Sequence, residues 1–459
     1  MSRIRSIDPT TGSVIEEFDE DSPEVVDQRL AAAATAQRML AAAGFARRAE
    51  WMRAAADLLE AETDEVAGMI TAEMGKPIAQ SRAEVSKSAA TMRFYADNAE
   101  SFLTGTALAE PDRVGASAAR TRFDPLGVIL AVMPWNYPIW QVARFAAPAL
   151  MAGNAGVLKH ASNVPRAALY LGELFTRAGF PAGAFATLLI GSARVEGVIR
   201  DRRVAAVTLT GSEGAGRSIA AAAGDALKKS VLELGGSDPF IVMPSADLDA
   251  AVETAVRARV TNNGQACINA KRFIVHADVY DAFAARFTER MAALTIGDPA
   301  RESTDLGPLA SERGREDVEE LVDDARSRGA RILTGGSRQD GDGWFYRPTV
   351  VAELTPDMRL WSEEAFGPVA SLYRAESLDD ALRIANDNDF GLGSAFWSTD
   401  DTEIDHAVAA LEAGAVFVNG MTVSYPDLPF GGVKRSGYGR ELSAEGIREF
   451  CNLKTVWVA

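Results

Sequence analysis

Of the side chains able to do chemistry, the Cys267 thiol stands out, because it is one of only two cysteines in 459 residues. It lies in Asn262-Asn263-Gly264-Gln265-Ala266-Cys267-Ile268-Asn269-Ala270-Lys271. Cysteine is commonly a small buried hydrophobe. This one follows a Gly-Gln pair and is flanked by three asparagines, surroundings too polar for ordinary core. A thiol so placed can work as a thiolate nucleophile. Cys451 reads instead as a buried apolar filler. The histidines, His160, His276 and His406, form no His-x-x-x-His pair, and no second cysteine lies near Cys267, so no metal site is expected. No G-x-S-x-G nucleophile elbow is present either.

Gly264-Gln265-Ala266-Cys267 resembles the nucleophile signature of aldehyde dehydrogenases, and three further segments agree with that family in its own order, across essentially the whole chain. Pro134-Trp135-Asn136 resembles the family element whose Asn amide faces the reacting oxygen; standing alone, Asn136 would read as a cap for the helix after Pro138. Glu233-Leu234-Gly235-Gly236 resembles the general-base motif, although a lone Glu at a strand end is usually solvated. Glu363-Glu364-Ala365-Phe366-Gly367-Pro368 resembles the element that holds the nicotinamide ribose, with Glu364 on the hydroxyls and Phe366 against the ring. The resemblance implies an α/β fold with a Rossmann-like cofactor domain, a catalytic α/β domain and a small β oligomerisation element, in a homodimer or homotetramer.

It also implies a mechanism in which each part answers a physical need. Cys267 attacks an aldehyde carbon to give a thiohemiacetal. The oxyanion meets the Asn136 side chain and the Cys267 N–H. Hydride passes to a nicotinamide, and Glu233 activates the water that hydrolyses the thioester. A CoA-acylating semialdehyde dehydrogenase is the rival enzyme, against which Glu233 argues for water; a structural protein on the same fold is the non-enzymatic rival.

Many family members carry Lys-Pro-x-Glu where this chain has Lys159-His160-Ala161-Ser162. Without that Glu nothing repels a 2′-phosphate, and Lys159 with the Ser162 hydroxyl could hold one, so NADP is expected, with NAD possible. Trp135, Gly211, Ser212 and Leu234 are the other expected cofactor contacts. The segments around Asn136 and Cys267 look like those of the short bacterial succinate-semialdehyde dehydrogenases. Arg144, eight residues after Asn136 and so about two helical turns along, is expected to meet a distal carboxylate of the substrate, with Ser424 as a second contact. A broader aliphatic aldehyde is the alternative. Asn269 stands where some relatives have a second cysteine.

The elements that must position these groups follow from periodicity. Ser22-Pro23 opens a helix carrying Val26, Leu30, Met39 and Leu40. Two long helices are predicted over 47–74 and 76–103, then a hairpin-like insert. Strands over 127–133, 155–159, 186–190, 205–210 and 230–234 alternate with helices over 141–151 and 164–178, the rhythm of a parallel sheet. The strand at 205–210 runs through Gly211-Ser212-Glu213-Gly214-Ala215-Gly216 into a helix, a turn suited to an anion, though neither G-x-G-x-x-G nor a P-loop. A boundary near Gly236 opens a second α/β region: helices over 248–260, 279–294, 311–328, 378–386 and 403–411, strands over 272–275, 331–333 and 415–419. The organisation expected is a cofactor domain of 1–106 and 126–236, a catalytic domain of 237–446, and an oligomerisation element of 107–125 and 447–459, whose tail would be an edge strand free to pair with another chain.

Composition bounds the partners. Forty-seven basic against 64 acidic residues give a net charge of −17, which opposes nucleic acid and anionic membranes as partners. The apolar run at 126–140 is interrupted by Pro134, Asn136 and Pro138 and falls short of the roughly 20 residues of a membrane span. The first nine residues contain no apolar signal segment. Two cysteines fit a reducing compartment, so cytoplasm is expected.

Overall fold

Two mainly parallel sheets carry the chain, and their strands are apolar runs suited to burial on both faces. The computed structural model describes residues 3–459; Met1 and Ser2 lie outside it. Strands β1 (Arg3–Asp8) and β2 (Ser13–Asp19) form an antiparallel hairpin. Helix α1 (Pro23–Ala42) starts as expected: Ser22 Oγ accepts the Val25 N–H and Pro23 takes the first position. Its buried stripe is Val26, Leu30, Ala33, Ala36 and Leu40. Met39 is exposed, since each residue turns the helix about 100° and a neighbour of Leu40 cannot share its face.

The expected helix over 47–74 is two, α2 (Gly44–Ala61) and α3 (Thr63–Met74). Glu62 between them leaves helical geometry at φ −100° and ψ 20°, and Thr63-Asp64-Glu65 supplies a new acidic first turn, which favours a helix N-terminus. Helix α4 (Ile78–Phe102) follows unbroken.

The insert contributes β3 (Ala118–Pro125), whose long partner is not within the insert but the C-terminal strand, as described below. The first sheet is built from β4 (Val128–Met133), β5 (Ala155–His160), β6 (Phe185–Thr187), β7 (Val204–Thr210) and β8 (Lys229–Glu233). Between them run α5 (Trp140–Ala152), α6 (Pro165–Arg177), α7 (Val195–Arg200) and α8 (Glu213–Asp225). The order across the sheet is β6-β5-β4-β7-β8, all parallel. The chain moves outward from β4 to β6 and then returns to the other side of β4. The carboxyl ends of β4 and β7 therefore border a topological switch point, where α/β sheets lodge ligands. Pro134-Trp135-Asn136 follows β4, and Gly211-Ser212 follows β7.

The second sheet has the order β11-β12-β13-β10-β9-β15-β16. Its strands are β9 (Asp238–Val242), β10 (Ala270–His276), β11 (Arg331–Thr334), β12 (Thr349–Ala352), β13 (Val369–Ala375), β15 (Ser394–Trp397) and β16 (Val416–Val418). Helix α9 (Leu248–Val260) leads into the nucleophile loop and then β10. The short β14 (Phe390–Gly391) pairs with β17 (Val433–Lys434). Strand β18 (Gly437–Tyr438) joins β8 antiparallel on the first sheet, and Ile447 in helix Ser443–Glu449 is buried in the first core.

The tail, β19 (Cys451–Val458), pairs antiparallel with the whole of β3, from Cys451 opposite Pro125 to Val458 opposite Ala118. Along the other edge of β3 the Leu108 N–H donates to Ala119 O and the Thr121 N–H to Thr106 O, so the insert is a partial hairpin to which the tail adds a strand. This ribbon exposes Leu108, Leu453, Trp457 and Val458. Among the described residues no helix is long and apolar enough to cross a membrane.

Candidate active site

The loop between α9 and β10 reverses the chain through three consecutive left-handed residues, Asn262 (φ 58°), Asn263 (φ 57°) and Gly264 (φ 75°). Asparagine tolerates that region better than other side chains, which accounts for the Asn-Asn-Gly run. At Gly264 glycine is also a packing requirement: a Cβ there would lie 2.4 Å from the Gly367 backbone. The loop thus seats directly on the Glu364–Pro368 segment.

Its carbonyls are nearly all engaged. Gly264 O accepts from Arg259 (2.6 Å), Gln265 O from Asn136 Nδ2 (2.9 Å) and Asn262 Nδ2 (3.1 Å), and Ala266 O and Cys267 O from Lys271 Nζ (2.9 and 2.6 Å). Asn269 accepts the Ala266 N–H at 2.7 Å and donates to Ala258 O at 2.9 Å, so the residue standing in place of a second cysteine is a clamp. The Cys267 N–H donates to no group among the described residues. Cys267 is partly exposed in the wall of a cavity of about 650 Å³. Burial pushes that thiol up to about 12, against the pull of Lys271 and Arg144.

Asn136 spends one side-chain hydrogen on Gln265 O and keeps another. It is not a helix cap: Ile139 precedes α5 with no side-chain cap, and Glu84 Oε1 accepts the Ile139 and Trp140 N–H groups at 2.8 and 3.0 Å. His160 pins the same turn. Its Nδ1 accepts the Ala161 N–H at 2.9 Å, which leaves Nε2 to donate to Pro138 O at 2.9 Å; burial lowers this imidazole to about 4, so it is neutral.

Glu233, expected as the general base, is buried at the end of β8, and neither carboxylate oxygen has a hydrogen-bond partner. It abuts Gly431, where a Cβ would come within 2.8 Å of Oε1. Burial first, and then the nearby Glu441, raise it well above the ordinary carboxylate range, while Arg144 and Arg440 work the other way. Sequence reasoning missed Glu441, which ion-pairs with Arg144 deep in the protein.

That pair changes the expectation for Arg144. The guanidinium is only 3% exposed, is bound to Glu441, donates to Thr210 Oγ1 at 3.2 Å, and is stacked on Phe430 at 4.8 Å. It lines the cavity with one carboxylate partner already in place. Ser424 is buried, and its Oγ accepts from Lys87 Nζ at 2.8 Å. Lys87 was also missed, although a lysine on the α4 face that carries Glu84, Ser88 and Thr91 was a legible sign of a polar surface within the fold.

The expected cofactor residues gather at the switch point and beside the nucleophile loop. Lys159 ends β5 partly buried, its charge disfavoured by desolvation, with no carboxylate in ion-pair range among the described residues. Ser162 is exposed beyond it. Ser212 caps α8 by accepting the Ala215 N–H. The helix sits tight on the residue that follows β8, since a Cβ at Gly216 would meet Leu234 at 2.7 Å. Trp135 and Phe366 make an edge-to-face pair at 5.7 Å. Glu364 accepts from the Gly236 N–H at 3.2 Å and pairs with Lys271 at 3.1 Å, which ties it to the carbonyls of Ala266 and Cys267. A cation without a carboxylate beside an exposed hydroxyl, at a switch point, fits a phosphorylated dinucleotide.

The comparisons agree with this arrangement. A model of the aldehyde dehydrogenase family matches residues 1–456. The chain is 59% identical over 456 residues to succinate-semialdehyde dehydrogenase [NADP(+)] 1 of Mycobacterium ulcerans (strain Agy99), covering 99% of each chain. It is 60% identical over 459 residues to the protein of that name in Mycobacterium tuberculosis (strain ATCC 25618 / H37Rv), covering 99% of this chain and 100% of the other. The structure of succinic semialdehyde dehydrogenase from Streptococcus pyogenes in complex with NADP+ superposes with a TM-score of 0.96 at 38% identity, covering 99% of both chains. With a family match across residues 1–456 and relatives about 60% identical along essentially the whole chain, the chain belongs to the aldehyde dehydrogenase family.

Proposed function

We propose that this enzyme oxidises succinate semialdehyde to succinate with NADP, through a thiohemiacetal and a thioester on Cys267. The observation that carries the chemistry is the uncommitted Cys267 N–H beside its own thiol, with Asn136 keeping a second donor nearby. A thiolate adding to the aldehyde carbon places the oxyanion where these two donors can meet it. When bound, NADP supplies the hydride acceptor and a positive ring near the thiol. Lys159 and Ser162 would hold the 2′-phosphate, Glu364 the nicotinamide ribose, and Trp135 and Phe366 would flank the ring, with Gly211, Ser212 and Leu234 completing the crevice. The full-length identity of about 60% to mycobacterial NADP-dependent enzymes supports both cofactor and substrate.

Hydrolysis of the thioester needs a base, and Glu233 is the candidate. Burial and the nearby Glu441 disfavour its charged form, and no hydrogen bond keeps it there. Turned toward the cavity it leaves that like charge, loses its proton more readily and can take one from water. We further infer a cytoplasmic homodimer or homotetramer, because both cysteines are free and the β3–β19 ribbon presents apolar side chains. The test is NADPH formation from succinate semialdehyde, with and without CoA. Formation without CoA, with free succinate as product, is expected; a strict need for CoA, or no activity on this aldehyde, would overturn the reading.

A further inference from the structure

Lys271 lies at the start of β10 with its side chain only 3% exposed, and its ammonium reaches back to the nucleophile loop. Two of its hydrogens go to Ala266 O at 2.9 Å and Cys267 O at 2.6 Å, and the Glu364 carboxylate, 3.1 Å away, is its counter-ion. The bond to Ala266 O bears directly on the chemistry. That oxygen and the Cys267 N–H belong to one peptide unit, which is trans, so the two point in opposite directions. A lysine that holds the carbonyl therefore turns the N–H away from itself, and this N–H is the donor left uncommitted beside the thiol. An ammonium on the carbonyl also polarises the peptide and strengthens its N–H as a donor.

Holding a loop carbonyl does not require a charge. Gln265 O is satisfied by two neutral amides, Asn136 and Asn262. At the two carbonyls on either side of the thiol the fold instead buries an ammonium, at a cost in desolvation. Four charged groups act on the thiol besides burial, which raises it. Lys271 on β10 is the strongest of those that lower it, followed by Arg144 on α5; Glu364, after α12 (Arg359–Ser362), and Asp238 on β9 raise it. Arg144 is bound to Glu441. Asp238 spends one oxygen on the Gly393 N–H at 3.0 Å, and burial lifts its carboxyl to about 6. Of these four, Lys271 is the one hydrogen-bonded to the thiol's own residue.

Resting on the reading of Cys267 as the nucleophile, we propose that Lys271 is a positioning residue for the oxidation: through Ala266 O it aims the Cys267 N–H at the developing oxyanion, and it fixes a positive charge behind the thiolate. It touches neither substrate nor thiol and acts through the loop. Both effects favour the same step, since the thiolate and the oxyanion are the two places where negative charge stands during addition to the aldehyde. A neutral side chain of the same length would fill the space and supply neither.

The experiment follows alkylation of Cys267 by iodoacetamide in the cofactor-free enzyme from pH 7 to 10, read by mass spectrometry of the Cys267 peptide. Lys271→Met should react about tenfold more slowly than wild type at each pH, the effect of removing an opposite charge from beside an ionising group. Its NADP-dependent kcat/KM should fall by at least about 100-fold, as when an oxyanion donor is lost. Lys271→Arg keeps the charge and should restore the alkylation rate. A merely structural role moves alkylation the other way, because a loosened loop opens the thiol to the reagent. Alkylation of Lys271→Met at or above the wild-type rate therefore overturns the proposal, as does a slow rate that Lys271→Arg fails to restore. Thermal melting checks that Lys271→Met folds; if it does not, Lys271→Gln, also uncharged, takes its place with the same expected slowing of alkylation and the same refuting result. Turnover that persists in Cys267→Ala would overturn the nucleophile reading itself.

Discussion

Replacing Gly264 by alanine tests whether the nucleophile loop is held by its seat on the Glu364–Pro368 segment. Two penalties follow from the structure. The residue has φ 75°, a region that costs an L side chain about 1–2 kcal/mol. The added Cβ would lie 2.4 Å from Gly367 C and O and 2.8 Å from Pro368 N, where ordinary contacts begin at 3.4 Å. These neighbours are backbone atoms and cannot rotate away, so the two segments must part by about 1 Å. Overpacking of this kind costs about 1–3 kcal/mol, and a displacement of about 1 Å at a reacting centre is worth about 10²-fold in rate. Gly264→Ala should therefore lose about 2–5 kcal/mol of stability and at least about 100-fold in kcat/KM, with Cys267 still titratable by a thiol reagent in the folded protein. The control is Gly68→Ala, at an exposed position inside α3 with nothing within 4 Å of the new Cβ. It should gain about 0.5–1 kcal/mol with turnover unchanged. If Gly264→Ala kept activity within a few-fold of wild type, the seat would not be what positions the thiol.

Glu233→Gln should slow thioester hydrolysis by about 10²–10⁴-fold while sparing hydride transfer, so rapid mixing should show a burst of NADPH; its absence would remove Glu233 from deacylation. Ser162→Glu should shift the cofactor preference toward NAD, because a carboxylate repels the 2′-phosphate yet accepts from ribose hydroxyls, and an unchanged NADP/NAD ratio of kcat/KM would count against the Lys159–Ser162 pocket. In the cofactor-free enzyme, alkylation of Cys267 should accelerate about tenfold per pH unit from pH 7 to 10, since only the thiolate reacts and burial holds the thiol up to about 12; a plateau below pH 9 would show that Lys271 and Arg144 outweigh burial.

What the sequence determined by itself was local. The Ser22-Pro23 start of α1, the alternation of β4 to β8 with helices, and the Asn-Asn-Gly turn before Cys267 are each encoded within about ten residues, by caps, periodicity and tolerance of left-handed backbone. The family signatures around Asn136, Glu233, Cys267 and Glu364 were legible for the same reason, being short strings at loops and strand ends. Only the tertiary structure decided which charges meet. Arg144 read as a free guanidinium because nothing near it in sequence announces Glu441, brought to it when residues after 430 return to the first sheet through β18. Glu233 read as the general base, and its surroundings, Glu441 and Gly431, come from the same returning segment. Lys87 and Ser424, on α4 and in a distant loop, touch only because the two sheets are packed about one cavity. Ion pairing depends on separations of a few ångströms between segments hundreds of residues apart, and no periodicity within either segment carries that distance.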